Sequence, residues 1–261
     1  MPAYNAGNYI GEAIESVIKQ VHTNWELLII NDGSRDNTED VVLQYDDARI
    51  KYFKQKNSGV SIARNLALEQ MQGDFFCFLD ADDILPPQSL SHRVKKFSSN
   101  PKVSFIDGEV VAMDANLRNV QRHYRPSFRG CPQAQLKQLS ESCFYGITWM
   151  VRRNSNSKYC FNSDAKYAED LLFYLSIADQ GIYDYVDAVV YINRKVESSA
   201  MHNLKALAKG YRSLLRHLVK NYQYSFKEKL QLIIKIRVLI LKLLIKHYLD
   251  GKKAFINLCL L

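Results

Sequence analysis

Phe75-Phe76-Cys77-Phe78-Leu79-Asp80-Ala81-Asp82-Asp83 passes from five apolar residues straight into three carboxylates within four positions. A short, wholly apolar run is the mark of a strand covered on both faces. The same change occurs where Leu27-Leu28-Ile29-Ile30 runs into Asn31-Asp32-Gly33-Ser34. Around these runs the period becomes helical. Ile10, Ile14, Val17 and Val21 mark a helix over Tyr9 to Val21, and Asn37-Thr38-Glu39-Asp40 opens another with capping residues and early acids. Ile50 to Phe53 reads as a strand. Ser58-Gly59 leads into a helix through Ala63, Leu66, Ala67 and Met71, and Pro86-Pro87 starts the next one. Strands alternating with helices predict an α/β fold on a mostly parallel sheet. Ligands of such sheets sit beyond the carboxyl ends of the strands. Both acidic endings fall at that edge.

Further along the pattern loosens. Val103 to Met113, Phe144 to Arg152 and Tyr185 to Ile192 read as strands, and Arg118 to Cys131 as a loop. A helix is expected from Glu169 to Asp179, ending at Gly181. The last stretch is helical, with Lys205, Lys209, Arg212, Arg216 and Lys220 on one stripe and Leu204, Leu207, Tyr211, Leu214 and Leu218 opposite. After Asn221–Ser225 comes a second helix over Lys227–Leu249, with Lys235, Lys242 and Lys246 aligned. From Lys205 onward there are 13 Lys and Arg against 2 Asp and Glu, whereas residues 1–204 hold 22 basic and 25 acidic residues. A near-neutral body therefore carries a basic tail. The expected division is a catalytic body over residues 1–203 and a basic amphipathic helical tail over residues 204–261.

The chain of 261 residues is long enough to bury a sizeable core, and its 11 Gly and 6 Pro exclude collagen-like and low-complexity architectures. Five cysteines (Cys77, Cys131, Cys143, Cys160, Cys259) are odd in number and widely spaced, with no Cys-x-x-Cys pair. That argues for reduced thiols rather than a zinc ribbon or a disulfide framework. No signal peptide and no spanning run of about 18 apolar residues is apparent. The expected location is cytoplasmic, with peripheral attachment to the inner face of the plasma membrane.

Three carboxylates in Asp80-Ala81-Asp82-Asp83 repel one another unless a cation or hydrogen-bond donors offset them. Hard divalent ions such as Mg²⁺ or Mn²⁺ take one or two carboxylates together with substrate phosphates. A strand-end position makes a nucleotide diphosphate a natural partner. A solvated turn capping the next helix is the competing reading. Asp32, in Asp-Gly, can accept a hydrogen bond from a base or a ribose hydroxyl, or can be an ordinary turn residue. Tyr4 can stack on a base. Arg64, about one and a half turns into its helix, offers a fork for phosphate. Glu169-Asp170 sit at a helix start, which favours acids electrostatically and equally suits a general base.

Taken together, these segments resemble the family-two glycosyltransferases, which have the GT-A fold. The resemblance rests on Pro2-Ala3-Tyr4-Asn5, on Glu26 before Ile29-Ile30-Asn31-Asp32-Gly33-Ser34, on Gly59 through Arg64-Asn65, on Phe78 through Asp83, and on Glu169-Asp170, within residues 1–200. It implies an inverting transfer from a nucleotide-activated sugar, a UDP-sugar in the first instance, to a hydroxyl of a glycan or lipid-linked acceptor in surface polysaccharide biosynthesis. It also implies a donor site of Pro2, Tyr4, Asp32, Arg64 and Asp80. There Tyr4 and Asp32 lie at the base, Asp80 at the ribose or diphosphate, and Arg64 helps to hold the nucleotide. Asp82 would bind Mn²⁺ or Mg²⁺, and Asp170 would be the catalytic base. Arg194 and His202 are further candidates at the diphosphate, and the acceptor would lie against Phe144–Arg152. Relatives lead into Pro-x-Tyr-Asn with an apolar strand, whereas here the segment begins at Met1-Pro2. Either the start is misassigned or the sheet is short there with the base site open on one side, and a chain extended upstream by a strand is expected to be more thermally stable.

Two other classes compete. A sugar nucleotidyltransferase is also α/β and metal-dependent, but needs a basic Gly-rich loop that Asn5-Ala6-Gly7-Asn8 lacks. A nucleic-acid-binding protein would explain the basic tail, but leucines back its helices and no aromatics interleave with the charges. No nucleic-acid partner is expected. The tail either packs on the body with its basic stripe solvated, or lays its Leu/Ile face on an anionic membrane surface.

Overall fold

The computed structural model describes residues 1–165, 167–196 and 204–249. Its first half follows the sequence pattern closely. Strand β1 (Pro2–Ala3) leads to helix α1 (Ile10–Ile18), which buries Ile10, Ala13, Ile14 and Val17 on one face. Strand β2 (Leu27–Asn31) is buried along its whole length, as its unbroken apolar run requires. Helix α2 (Thr38–Val42), strand β3 (Ile50–Lys54) and helix α3 (Val60–Gln70) follow. The ladder β1-β2-β3 is parallel, with Pro2 opposite Ile30 and Leu27 opposite Ile50.

The second half departs more. Strand β4 is only Phe75–Phe76, shorter than the apolar run through Leu79. Helix α4 (Ser89–Ser99) starts two residues beyond the proline pair, because a residue before proline is disfavoured in the helical region and Pro86 precedes Pro87. Strand β5 (Val103–Asp114) pairs in parallel with β8 (Ile182–Lys195) and antiparallel with β6 (Val120–Tyr124) and β7 (Met150–Arg152); β7 also pairs with β4. This half of the sheet is mixed. The expected loop over Arg118–Cys131 contains β6, an edge strand whose first four residues are exposed, which is why its sequence shows no alternation. Only the end of Phe144–Arg152 is strand. The preceding turn is held by Trp149 Nε1, which donates to the Cys143 carbonyl at 2.8 Å. Helices α5 (Gln133–Lys137), α6 (Glu169–Ile177), α7 (Leu204–Asn221) and α8 (Phe226–Leu249) complete the fold.

Two hydrophobic clusters form. One packs α1 and α4 against the sheet. The other joins Trp149, Phe161, Phe173 and Tyr174 to Leu214 and Leu218 of α7 and Leu232 and Ile236 of α8. The tail helices thus bury their inner faces on the body, the first arrangement the amphipathic pattern allowed.

The turn after β2 depends on Gly33, whose φ is +71°; a Cβ there would lie 2.7 Å from the Asn57 backbone nitrogen. Gly33→Ala is expected to lower stability by about 2–3 kcal/mol, about 1–2 of it from the left-handed backbone alone. Urea unfolding checks this; an unchanged midpoint contradicts it.

Candidate active site

The turns after β1 and β2 are stitched into one surface. Asn31 Nδ2 donates to Tyr52 Oη at 2.7 Å, and its Oδ1 accepts from the Ser34 N–H at 2.9 Å. Asn5 N–H donates to Ser34 Oγ, and Asn5 Oδ1 accepts from the Arg35 N–H. Gly7 and Ala6 N–H groups donate to Asp36 and Thr38. Pro2 is half-buried in β1 at the root of this surface, and Tyr4 stands out from it with 50% of its area exposed.

Asp32 is buried, and its carboxylate already has three donors. Gln55 Nε2 and the Ser58 N–H reach Oδ1 at 2.7 and 2.8 Å, and the Gly59 N–H reaches Oδ2 at 2.8 Å. It therefore fixes the loop that enters α3 against the end of β2.

Arg64 comes from α3 and is only 4% exposed. Its Nη2 donates to Asp80 Oδ1 at 2.9 Å and its Nη1 to Glu169 Oε1 at 3.1 Å. The guanidinium also lies 5.3 Å from the Phe161 ring centroid and 5.9 Å from that of Phe78. Burial works against its charge, but Asp80 and Glu169 outweigh burial and raise its pKa. Both tips of the fork are engaged by carboxylates, so Arg64 acts here as a bracket between α3, the Asp80 turn and α6. The Glu169 half of this bracket was not foreseen from sequence. The only hint was an acid beside Asp170 at a helix start.

The acidic turn is held from β8. Asp83 is buried and accepts from Tyr191 Oη at 2.8 Å, from Asn193 Nδ2 and from the Arg194 N–H at 2.7 Å. Arg194 is also buried; its Nε donates to the Asp82 carbonyl, Nη1 to the Ala115 carbonyl and Nη2 to Glu12. Its side chain anchors the turn. His202 lies outside the described residues. With Asp83 turned inward, Asp80 and Asp82 remain at the strand edge, and the Asp80 side chain is 36% exposed. Burial raises the pKa of Asp82, and the charge of Asp80 adds to that. Two like-charged, oxygen-only side chains at one edge are a fitting donor set for Mg²⁺ or Mn²⁺ once a diphosphate supplies the remaining oxygens. Among the described residues no group of three or more His, Cys, Asp or Glu is arranged to hold an ion alone.

Asp170 sits in the first turn of α6, after Ala168 in the left-handed conformation (φ 57°). Its Oδ1 accepts from the Leu171 N–H at 2.7 Å. Burial pushes its pKa up to about 6, and the neighbouring Glu169 charge adds to the rise. A carboxylate so tuned holds a proton reversibly near neutral pH, which is what a general base does. The structure therefore gathers Arg64, Asp80, Glu169 and Asp170 together, with Asp82 on the adjoining turn.

Glycosyl transferase family 2 matches residues 1–160 of this chain. The chain belongs to that family. A relative from Escherichia coli, UDP-Glc:alpha-D-GlcNAc-diphosphoundecaprenol beta-1,3-glucosyltransferase WfgD, is 40% identical over 117 residues, 44% of this chain and 46% of that one. The S. aureus TarS 1-349 structure in complex with UDP-GlcNAc superposes with a TM-score of 0.66 at 21% identity, covering 90% of this chain and 70% of that one. The mannosyltransferase PcManGT from Pyrobaculum calidifontis, in complex with GDP-Man and Mn2+, gives a TM-score of 0.60 at 17% identity over 96% of this chain and 74% of that one. The architecture is that of the GT-A glycosyltransferases, and the enzyme class is glycosyltransferase.

Arg64→Met in this glycosyltransferase is expected to cost about 3 kcal/mol, the lower end of the range for breaking a buried ion pair because Asp80 is partly solvated. Arg64→Lys is expected to recover only part of it, since an ammonium does not span two carboxylates as a fork does. Equal urea midpoints for wild type and Arg64→Met would contradict the bracket.

Proposed function

We propose that this glycosyltransferase moves a sugar from a UDP-sugar, with inversion, onto a hydroxyl of a glycan or lipid-linked acceptor in surface polysaccharide biosynthesis. The observation that carries this reading is Asp170, its pKa raised by burial, standing beside the Glu169 that Arg64 ties to Asp80 at the carboxyl edge of the sheet. The E. coli relative's UDP-Glc donor and diphosphoundecaprenol acceptor agree with it.

In this reading Tyr4 and Pro2 face the base, with Asp32 supporting them by fixing the loop through Gly59. Asp80 meets the ribose or diphosphate, and Arg64 holds Asp80 in place. Asp82, with Asp80, would hold Mn²⁺ or Mg²⁺, which supplies neutralising charge for the leaving diphosphate. Asp170 takes the proton from the acceptor hydroxyl. That oxygen bonds to the anomeric carbon from the face opposite the diphosphate. The anomeric C–O bond breaks as it does so, and the UDP oxygen leaves with the electron pair.

The base must be ionised to work. kcat/KM is therefore expected to rise with pH through about 6 and to level off above it. Asp170→Asn is expected to lose about 10²–10⁴-fold in transfer while binding UDP as tightly as wild type by calorimetry. Asp82→Ala is expected to weaken UDP binding in the presence of Mn²⁺ and leave the metal-free value unchanged. Normal turnover by Asp170→Asn would overturn the base assignment.

The outer face of α8 supports a membrane-surface role. Phe226, Leu230, Ile234, Val238, Leu241 and Ile245 are all exposed and share one side of the helix. Lys227, Lys235, Arg237 and Lys242 are exposed on the same helix. No helix among the described residues is long and apolar enough to cross a membrane. Such a helix lies in the interface, each nearby Lys or Arg contributing about 1 kcal/mol on anionic lipid. Phosphatidylglycerol vesicles are expected to sediment the wild type, and Ile234→Glu/Val238→Glu is expected to cut binding by about 10-fold or more. Equal sedimentation would reject this face.

A further inference from the structure

A glycine is usually explained by its own backbone or by what crowds it. Neither explains Gly146. Its backbone lies outside the left-handed region, which among the described glycines holds Gly33, Gly59 and Gly130. Nor is it crowded like Gly108, Gly181 and Gly210, where a Cβ would lie under 3.0 Å from a neighbour. Among the described residues beyond its chain neighbours, a Cβ at Gly146 would meet one atom within 4 Å, Asp170 Oδ2 at 3.9 Å. That is an ordinary contact distance, so the local structure would admit a side chain here. The space it would fill stands open over the carboxyl group, since Gly146 and Asp170 are each half-buried rather than sealed. Of the two carboxyl oxygens, Oδ1 is taken by the Leu171 N–H at 2.7 Å, whereas Oδ2 faces this space.

The gap is fixed on both sides. Gly146 begins a tight turn, its carbonyl accepting from the Thr148 N–H at 2.9 Å. The Thr148 carbonyl accepts in turn from Nη1 of the buried Arg93 at 3.1 Å. The next residue, Trp149, donates its N–H to Tyr174 Oη at 2.9 Å, and the two rings stack with centroids 4.1 Å apart. Tyr174 follows Asp170 by four residues on α6, so both lie on one side of that helix. One side chain thus ties the Gly146 turn to the helix of Asp170. At the other end Tyr145 Oη donates to Asn193 Oδ1 at 3.2 Å, and Asn193 Nδ2 donates to Asp83. The segment is moored at once to α6 and to the acidic turn.

What the space admits follows from distance. A hydroxyl that gives its proton to a carboxylate lies about 2.6–3.2 Å from it. The carbon bearing that hydroxyl is one bond farther out, in the shell where a side chain at position 146 would begin. Water carries no such carbon.

We propose that Gly146 is the specificity-determining residue on the acceptor side: the carbon bearing the reacting hydroxyl lies against the bare Gly146 backbone while the hydroxyl meets Asp170 Oδ2. This rests on the reading of Asp170 as the base. The acceptor class admitted is an alcohol on a substituted carbon, as a sugar hydroxyl is. Its proton passes to Oδ2 and its oxygen bonds to the anomeric carbon. The anomeric C–O bond breaks, and its electron pair leaves with UDP. A side chain at position 146 would still leave room for water but not for the bulkier alcohol.

Two measurements on the full chain test this. In the first, a water-soluble carbodiimide and glycine ethyl ester convert reachable carboxyl groups to amides, read by peptide mass spectrometry. Asp170 of the wild type is expected to take the label and Gly146→Val to lose most of it, while Glu141, with 72% of its side chain exposed, is labelled equally in both. In the second, UDP-glucose is turned over with Mn²⁺ in aqueous glycerol, where water yields glucose and glycerol yields glucosylglycerol. The ratio of glucosylglycerol to glucose is expected to fall by about 10-fold or more in Gly146→Val. Gly146→Ala, whose methyl group reaches Asp170 Oδ2 without a clash, takes its place should Gly146→Val not fold, with a smaller loss in the same direction. An Asp170 that resists the label in the wild type, a label unchanged by the substitution, or an unchanged product ratio overturns the proposal. The labelling needs no donor and decides alone where the wild type makes no glucosylglycerol. Turnover by Asp170→Asn at the wild-type rate would instead remove the base reading, an outcome the labelling does not share.

Discussion

One guanidinium lets three acidic side chains meet at a single edge. Asp80, Glu169 and Asp170 come from a strand end and a helix start far apart in the chain, and like charges at about 4 Å repel by roughly 4 kcal/mol at a typical near-surface dielectric. Arg64 stands between Asp80 and Glu169 and cancels most of that cost. A planar fork suits the task because its two tips point at different acceptors. The flanking rings of Phe78 and Phe161 keep water off its face. With Glu169 committed to Arg64, Asp170 is the member of the group that has no ion-pair partner among the described residues. Its raised pKa follows from that arrangement: a desolvated carboxyl beside a second negative charge.

This arrangement was only half legible in the sequence. The β2 run, the Asp80–Asp83 turn and the entry to α3 all announce themselves through local pattern, because a buried strand and a helix each carry their own period. Arg64 and Glu169 are 105 positions apart, and no local pattern reports a pairing across that distance. The same holds for Asp83, whose partners Tyr191, Asn193 and Arg194 lie in β8. Three neighbouring carboxylates read alike on paper. The fold separates them by turning one inward onto donors and leaving two at the edge. Strand β6 was missed for a different reason: an exposed edge strand has no buried face to impose alternation.

Asp32 carries a similar lesson about role. Its position after β2 is where a ligand-facing acid belongs, yet its oxygens are already occupied by Gln55, Ser58 and Gly59. Its carboxylate holds the loop that enters α3. Arg64 behaves likewise toward Asp80. In both cases the residue type draws attention to the strand edge, while the geometry commits the side chain to neighbouring protein groups.

The tail is bound into the same logic. Gly210 of α7 lies so near Tyr167 that a Cβ there would sit 2.4 Å from the Tyr167 Cβ. Tyr167 precedes the left-handed Ala168, which in turn sets the direction of Glu169 and Asp170. Leu214 and Leu218 continue the contact into the cluster that contains Leu171 and Phe173 of α6. The helix that carries Asp170 therefore rests on the sheet on one side and on α7 on the other. A division of the chain near residue 203 separates charge and composition, but the packing that orients Asp170 runs straight across it. Whatever α8 meets on its outer face is one helix away from Asp170, connected through packed side chains.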